Sequence, residues 1–369
     1  MEQLDLDLES DSKQGASPER PVWQRHPALT VLVMSLALLV LLGSSLGVLR
    51  LAGKTPQGAS AKHKAGIVTM FSLPAGSNPC AITAGADGNL WFTECGNNVD
   101  CHPGKIGRIT PSGTLTTFPL PSAIGSCWIT SGPDGNLWFT EGYTSDIGRI
   151  TPHGMLTQFA LPPASHPDTR GAYGITPGPD GNLWFAEEGP DGIGRITPGG
   201  AATEFSFQHL SHPGDSDPFI ITAGPDGNLW FTEPNSPLIG RITPGGTIIE
   251  FSLSAGSAPF WIAAGADGNL WFTERNASKI GRITVSGTIT EFTLPAQSIP
   301  GAITAGPDGN LWFTDVGVNE IGRITPKGAV TEFALPPNNQ PDDIAAGPDG
   351  NLWFTENNDS KIGRITSGK

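Results

Sequence analysis

The chain has 369 residues, with 35 acidic and 21 basic side chains, and its formal net charge at pH 7 is −14. An acidic chain without a basic patch argues against a nucleic-acid-binding function. Length alone would suggest two domains of about 150 residues each, but the internal repeats described below predict one domain instead.

Three segments precede the repeats. Residues 1–26 are polar and rich in charges, which predicts a disordered tail. Residues 27–49 carry no formal charge, are rich in Leu and Val, and are numerous enough to span a bilayer. We expect this segment to be a transmembrane anchor rather than a cleaved signal peptide. Residues 50–65 are Gly, Ser, Ala and Lys in large part, which predicts a flexible linker.

The cysteines indicate on which side of the membrane the repeats lie, because the basic residues flanking the anchor are nearly balanced. The chain has four cysteines, and an even number suits an oxidising compartment. Cys95 and Cys101 bracket one loop at a spacing that suits a small disulfide, and Cys80 and Cys127 occupy the same position in adjacent repeats. We expect a single-pass membrane protein whose repeats are extracytoplasmic. Four reduced thiols in a cytosolic protein are the alternative.

A short motif, Gly-Pro-Asp-Gly-Asn-Leu-Trp-Phe-Thr-Glu at Gly132–Glu141, recurs with small changes through the rest of the chain. Its tryptophans are Trp91, Trp138, Trp184, Trp230, Trp271, Trp312 and Trp353. A repeat of about 40 to 50 residues built from short apolar runs and Gly-rich turns predicts the blades of a β-propeller. Seven copies predict seven blades.

Each repeat is interpreted as four strands, illustrated here by the second. Ile129-Thr130 belongs to a first strand, and Pro133-Asp134-Gly135 predicts a tight turn. The second, third and fourth strands are predicted at 137–140, 147–151 and 156–161. The glycine within each third strand indicates close approach by a bulky ring, which we expect to be a repeat tryptophan. The turn aspartates and third-strand arginines are interpreted as scaffold, because they recur in every repeat.

The two ends of the repeat array complement each other. The seventh repeat stops after Ile365-Thr366 without a fourth strand, and an unpaired copy of that strand, Ile67–Pro74, precedes the first repeat. We therefore predict an all-β, seven-bladed β-propeller over residues 66–369, with four-stranded antiparallel blades. The N-terminal strand would complete the last blade and close the ring. We expect this domain to be monomeric.

The loops after the second and fourth strands vary in length, and variable loops on a rigid scaffold tend to carry function. The residues at the start of each first strand lie on the same face and should ring the mouth of the central channel. They are Cys80, Trp128, Tyr173, Phe219, Phe260, Trp261, Gly301, Asp342 and Asp343. The aromatic ones would either stack against a ligand or plug the channel. A loop with His209, His212, Asp215 and Asp217 offers an alternative metal site.

The repeat Ile-Thr-x-Gly-Pro-Asp-Gly-Asn-Leu-Trp-Phe-Thr-Glu, followed by Ile-Gly-Arg-Ile-Thr and Thr-Glu-Phe-x-Leu-Pro, resembles the virginiamycin B lyase family over residues 66–369. The resemblance implies a lyase that opens type B streptogramin antibiotics by elimination at an ester, a route to antibiotic resistance. In such a lyase Mg²⁺ would stabilise the enolate and a histidine would transfer the proton.

Most positions that the resemblance assigns to catalysis differ in this chain. The two histidine positions correspond to Gly301 and Asp342, a glutamate position to Gln340, and a tyrosine position to Cys80. Glu356 is the one match. The resemblance thus implies Glu356 and Asp342 as the catalytic candidates.

The candidate metal ligands, for Mg²⁺ as the possible cofactor, are Glu356, Asp342, Asp343 and Gln340. The candidate ligand-binding residues are Tyr173, Phe219, Phe260, Trp261 and Trp128. Because both histidines are missing, we expect a membrane-tethered member that binds a small molecule or a surface ligand on the variable face. The alternatives are a Mg²⁺-dependent carbon–oxygen lyase acting on type B streptogramins and another metal-assisted lyase or hydrolase, with its site shifted to the 209–217 loop.

Overall fold

The computed structural model describes residues 64–95, 104–121, 125–141, 146–161, 171–187, 192–206, 218–337 and 339–369. These residues belong to one compact unit, Thr55–Lys369. Within these ranges no helix is long and apolar enough to cross a membrane. The predicted tail at 1–26 and the predicted anchor at 27–49 lie outside the described residues.

The strands form seven four-stranded sheets. Blade 1 has β2 (Pro79–Ala84), β3 (Leu90–Glu94), β4 (Lys105–Ile109) and β5 (Leu115–Pro119); blade 2 has β6 (Ser126–Ser131), β7 (Leu137–Glu141), β8 (Asp146–Ile150) and β9 (Leu156–Ala160). Blade 3 has β10 (Ala172–Pro177), β11 (Leu183–Glu187), β12 (Gly192–Ile196) and β13 (Ala202–Ser206); blade 4 has β14 (Ile221–Ala223), β15 (Leu229–Glu233), β16 (Leu238–Ile242) and β17 (Ile248–Ser252).

Blade 5 has β18 (Pro259–Ala264), β19 (Leu270–Glu274), β20 (Lys279–Ile283) and β21 (Ile289–Thr293); blade 6 has β22 (Pro300–Ala305), β23 (Leu311–Asp315), β24 (Glu320–Ile324) and β25 (Val330–Ala334). Blade 7 has β26 (Pro341–Ala346), β27 (Asn351–Glu356) and β28 (Lys361–Thr366), with β1 (Val68–Ser72) beside β28. Every paired neighbour within a sheet is antiparallel, as predicted. The all-β, seven-bladed propeller with four-stranded blades is therefore confirmed.

The N-terminal strand lies in the sheet of the seventh repeat. β1 pairs with β28 from Val68 opposite Ile365 to Ser72 opposite Lys361. Each first strand also packs beside the first strands of the two neighbouring blades, and β26 packs beside β2 in the same way. The first strands are thus the innermost strands of the propeller, and their starting residues share one end of it.

The repeated residues form one packing unit per blade, seen clearly in blade 5. Trp271 is completely buried and stacks on Phe292, with ring centroids 5.4 Å apart. Its indole Nε1 donates a hydrogen bond to Asp267 Oδ1 at 3.1 Å. The Arg282 guanidinium lies over both rings, at 5.6 and 5.7 Å, and donates to the carbonyl of Pro326 in the next blade. The scaffold interpretation of the aspartates and arginines is confirmed.

One prediction about this unit was wrong. A Cβ added to Gly281 of the third strand would lie 2.1 Å from Cζ of Phe272, so the close ring is the phenylalanine. The tryptophan instead presses on Gly265 at the turn, where a Cβ would lie 2.7 Å from Cδ1 of Trp271. Strand register explains the difference, because Phe272 lies opposite Gly281 and Trp271 lies opposite Arg282.

Candidate ligand-binding mouth

The first strands present their starting residues at one end of the propeller, and we call these residues the mouth. They are Cys80, Trp128, Tyr173, Phe219, Phe260, Trp261, Gly301, Asp342 and Asp343. Six of the seven first strands shift register at this point, as between Pro259 and Ile262. Such bulges change the direction in which side chains leave a strand.

Hydrogen bonds between blades hold the backbone of the mouth. The Thr314 hydroxyl donates to the carbonyl of Asp342 at 2.9 Å, and the Thr355 hydroxyl donates to the carbonyl of Cys80 at 2.6 Å. The Thr314 hydroxyl also explains why residue 301 is a glycine, because a Cβ added to Gly301 would lie 2.7 Å from Thr314 Oγ1. A histidine at 301 would therefore require Thr314 to move.

The five predicted ligand-binding residues form one continuous aromatic wall. Trp128 meets Tyr173 and Phe219 edge-on, each at 5.4 Å between ring centroids. Phe219 lies 4.9 Å from Phe260, which lies 6.1 Å from Trp261. Tyr173 and Phe219 are buried, while the other three rings are half-buried. Two rings therefore fill the inside of the mouth and three remain within reach of solvent, whereas stacking of these rings against a ligand stays a prediction.

Arg275 also belongs to this site, although the sequence reasoning missed it. It directly follows β19, and its guanidinium lies 4.7 Å from the centre of the Phe260 ring. Its side chain is 8% exposed, and Nε has no hydrogen-bond partner among the described residues. Burial lowers the pKa of Arg275, although the charge of Asp342 opposes that shift. The sequence does single Arg275 out in one respect. Each second strand ends in an acidic residue, and Arg275 is the one basic residue that directly follows such an acidic residue in the seven repeats.

Asp342 lies close enough to Arg275 for the two charges to interact. Burial raises the pKa of Asp342 to about 6, even though the Arg275 charge and a hydrogen bond from Asn357 both favour the carboxylate. An aspartate of ordinary pKa is a poor base for a carbon acid at neutral pH, whereas a carboxyl that titrates near pH 6 is better matched to proton transfer.

Asp343 is held by the protein backbone. Its Oδ2 accepts a hydrogen bond from the amide of Ile82 at 2.8 Å, and its Oδ1 accepts one from the amide of Ile344 at 2.7 Å. Burial, together with the charge of Asp342, raises the pKa of Asp343 to about 8, although the two backbone hydrogen bonds favour the carboxylate and oppose the shift. Asp343 thus links blade 7 to blade 1.

Glu356 is completely buried, and neither of its carboxyl oxygens has a hydrogen-bond partner among the described residues. Burial raises the pKa of Glu356 to about 7, although the charge of Lys361 opposes the shift. In blade 5 the equivalent Glu274 is also buried with both carboxyl oxygens unbonded among the described residues, and the nearby Ser257 hydroxyl donates to the carbonyl of Ser254. Asn339 replaces Ser257 in blade 7 and is itself buried, and neither of its amide atoms has a hydrogen-bond partner in the described part of the chain.

The predicted metal ligands are therefore not equivalent. Mg²⁺ binds through one or two carboxylates together with water, and the buried Glu356 oxygens fit that requirement. The Gln340 side-chain oxygen accepts a hydrogen bond from Asn358, and Asp343 is held by amides. No group of three or more His, Cys, Asp or Glu side chains suited to a metal ion occurs in the described part of the chain. Mg²⁺ binding stays a prediction that rests on Glu356.

The sulfur chemistry lies beside the mouth. Cys95 is disulfide-bonded, and the Cys80 Sγ lies 2.6 Å from the Cys95 Sγ. Cys101, the predicted partner of Cys95, lies outside the described residues, so that pairing stays a prediction. The alternative metal loop with His209, His212, Asp215 and Asp217 also lies outside them.

Comparison with known proteins decides the family. The profile of the Virginiamycin B lyase family matches residues 58–212 and 165–369. The chain belongs to the virginiamycin B lyase family. No sequence among the curated proteins searched matches the chain.

Solved structures of family members are similar over most of the propeller. A streptogramin B lyase structure is 38% identical, covers 81% of this chain and 97% of its own, and has a TM-score of 0.72. Virginiamycin B lyase from Staphylococcus aureus is 39% identical, with 81% and 99% coverage and a TM-score of 0.72. A catalytically inactive His-to-Ala variant of that lyase, with quinupristin, is 39% identical, with the same coverage and a TM-score of 0.73.

The fold extends to more distant proteins. Hydrazine synthase from Kuenenia stuttgartiensis is 13% identical, covers 80% of this chain and 97% of its own, and has a TM-score of 0.64. At that identity the similarity describes the fold alone.

Proposed function

We propose that this propeller binds a small molecule carrying aromatic groups at its mouth, as a diverged member of the virginiamycin B lyase family. The observation that carries the proposal is the aromatic wall, in which Trp128 and Phe260 pack on two buried rings. Trp261 packs on Phe260, and the Arg275 cation lies over the Phe260 ring. Aromatic contacts contribute about 0.5–1.5 kcal/mol each beyond area burial. Because the buried rings already hold the wall in place, little ordering is required when a ligand binds.

Calorimetric titration of quinupristin into the full-length protein tests this proposal. We expect saturable binding that weakens about tenfold in Phe260→Leu, because the substitution removes a ring at the centre of the wall. Phe251→Leu is the matched control, since Phe251 stacks on Trp230 in the scaffold. The control should unfold more easily yet bind normally. The proposal fails if neither protein nor variant shows saturable binding, or if both variants lose affinity equally.

A working lyase is the second candidate, and Asp342 is the observation that favours it. Its carboxyl lies at a histidine position and has a pKa of about 6. Incubating the full-length protein with quinupristin and Mg²⁺ should then give a ring-opened product of unchanged mass, because elimination adds no atoms. A product heavier by one water would indicate a hydrolase instead. Asp342→Asn should abolish the reaction, and absence of any product excludes this candidate.

The same proposal includes the location of the protein. Residues 27–49 would anchor it in the membrane, and the disulfide at Cys95 supports an extracytoplasmic propeller. Pairing of β1 with β28 supports closure of the ring by the N-terminal strand, which would leave the propeller tethered through that strand. Protease added outside intact cells should cleave the propeller region. Protection until the membrane is broken would contradict this orientation.

A further inference from the structure

Arg275 differs from every repeated arginine near it in how its charge is neutralised. Arg241, for example, donates to the carbonyl of Val285 and lies 3.7 Å from the carboxylate of Asp226. Arg282 likewise has a buried Nε without a partner among the described residues, but its Nη1 donates to the carbonyl of Pro326. No hydrogen bond from the Arg275 guanidinium occurs among the described residues, and Asp342 acts on it through its charge. A buried cation is costly unless it is paired and hydrogen-bonded, and scaffold packing alone does not explain why one is kept here.

The surroundings of the Arg275 guanidinium indicate which kind of ligand group could accept its hydrogen bonds. The guanidinium lies over Phe260, which belongs to the aromatic wall together with Trp261. A ligand whose ring packs on the wall would therefore place a neighbouring polar group beside Arg275. A planar guanidinium presents a fork of donors that matches the two oxygens of a carboxylate, and such charged hydrogen bonds are the stronger kind.

We infer that Arg275 forms a subsite for a carboxylate attached close to an aromatic ring, such as the free C-terminal end of a peptide or acyl amino acid with an aromatic side chain. The inference rests on the proposed binding function and names the chemical class of ligand. Asp342, whose charge acts on Arg275, would disfavour the anion while it is charged and would compete with it for Arg275. Removing that charge should therefore strengthen binding of the acid.

Two probes that differ in one group test the inference: N-acetyl-L-phenylalanine and N-acetyl-L-phenylalaninamide, titrated separately into the full-length protein. We expect the acid to bind about tenfold more tightly than the amide, because a hydrogen bond to a charged group is worth more than one to a neutral group. Arg275→Gln should abolish this preference, and Asp342→Asn should increase it. Lys327→Gln, which removes the same charge from an exposed turn, should leave it unchanged.

The outcomes separate this inference from the proposed function. Equal binding of acid and amide, or a preference that survives in Arg275→Gln, overturns the carboxylate subsite even if quinupristin binds. If quinupristin and both probes fail to bind, the proposed function itself fails, and the subsite fails with it. Unchanged thermal unfolding of Arg275→Gln would show that any loss of preference comes from the subsite rather than from the fold.

Discussion

Two tryptophans of blade 5 show how the repeated scaffold differs from the mouth. Trp271 is completely buried, donates to Asp267, stacks on Phe292 and lies under Arg282. Trp261 is half-buried and has only Phe260 beside it as an aromatic neighbour among the described residues. The first is one of seven equivalents, whereas the second has one tryptophan equivalent, Trp128 of blade 2. Recurrence therefore separates side chains that hold blades together from side chains left available for a ligand.

The largest expected effect is the difference in stability between variants of these two tryptophans. Trp271→Ala should lower the free energy of unfolding by about 3–5 kcal/mol, because it removes a fully buried ring and leaves Asp267 and Arg282 without their contacts. Trp261→Ala should cost only about 1 kcal/mol while weakening quinupristin binding. Urea unfolding of the two variants measures the difference. Equal losses of stability would show that the mouth is scaffold as well.

The N-terminal strand offers the next test. Phe71 of β1 stacks on Trp353 at 5.2 Å with Arg364 above both rings, as Phe251 does with Trp230 and Arg241 in blade 4. We expect Phe71→Ala and Phe251→Ala to lower stability by similar amounts, about 2–4 kcal/mol, since both rings are half-buried. Much less destabilisation by Phe71→Ala in urea unfolding would mean that β1 does not act as a fourth strand.

A smaller effect distinguishes glycines that the packing requires. Gly281→Ala should destabilise by about 1–3 kcal/mol, because the new methyl group would meet the Phe272 ring. Gly245→Ala is the control, since the nearest atom to its Cβ would be Thr243 Oγ1 at 3.8 Å. Thermal unfolding should leave the control unchanged. If the two variants have the same unfolding temperature, close packing of the phenylalanine is not the reason for the glycine in the third strand.

The last prediction concerns the pH dependence of stability at the edge of the mouth. The pKa of Glu356 is about 7 in the folded protein and 4.5 ordinarily, so the folded state holds the proton more tightly. Its contribution to stability is then fully present below pH 4.5 and is lost as the pH rises to 7. Glu356→Gln should flatten this part of the stability–pH curve, measured with EDTA present. An unchanged curve would contradict the raised pKa.

The scaffold could be predicted from the sequence because seven copies report the same environment. The continuous apolar run in Leu-Trp-Phe-Thr, the Asp-Gly turns and the unpaired strand at Ile67–Pro74 all indicate local geometry. The partner of the third-strand glycine was predicted incorrectly, because it depends on which of two adjacent aromatic residues faces the next strand. The strand register decides which ring faces the glycine, and the register cannot be read from the identity of the two aromatic residues.

The candidate site was only partly predictable. The aromatic wall could be found from its position at the start of the first strands, where residues differ from repeat to repeat. Arg275 and Asn339 were missed because their significance lies in what they do not contact: in the part of the chain that the structure describes, a guanidinium nitrogen of one and the side-chain amide of the other are buried without partners. Likewise, the raised pKa of Asp342 depends on burial and on Arg275, which lies far from it in the sequence. Single-sequence patterns carry no information on such long-range surroundings.

Amide hydrogen exchange of the full-length protein, with and without quinupristin, tests the division between scaffold and mouth most directly. The account predicts slower exchange in the first strands that carry the aromatic wall, above all 218–221 and 259–262, with little change in the Asp-Gly turns such as 266–269. Protection spread over those turns, or absent from the first strands, would contradict it.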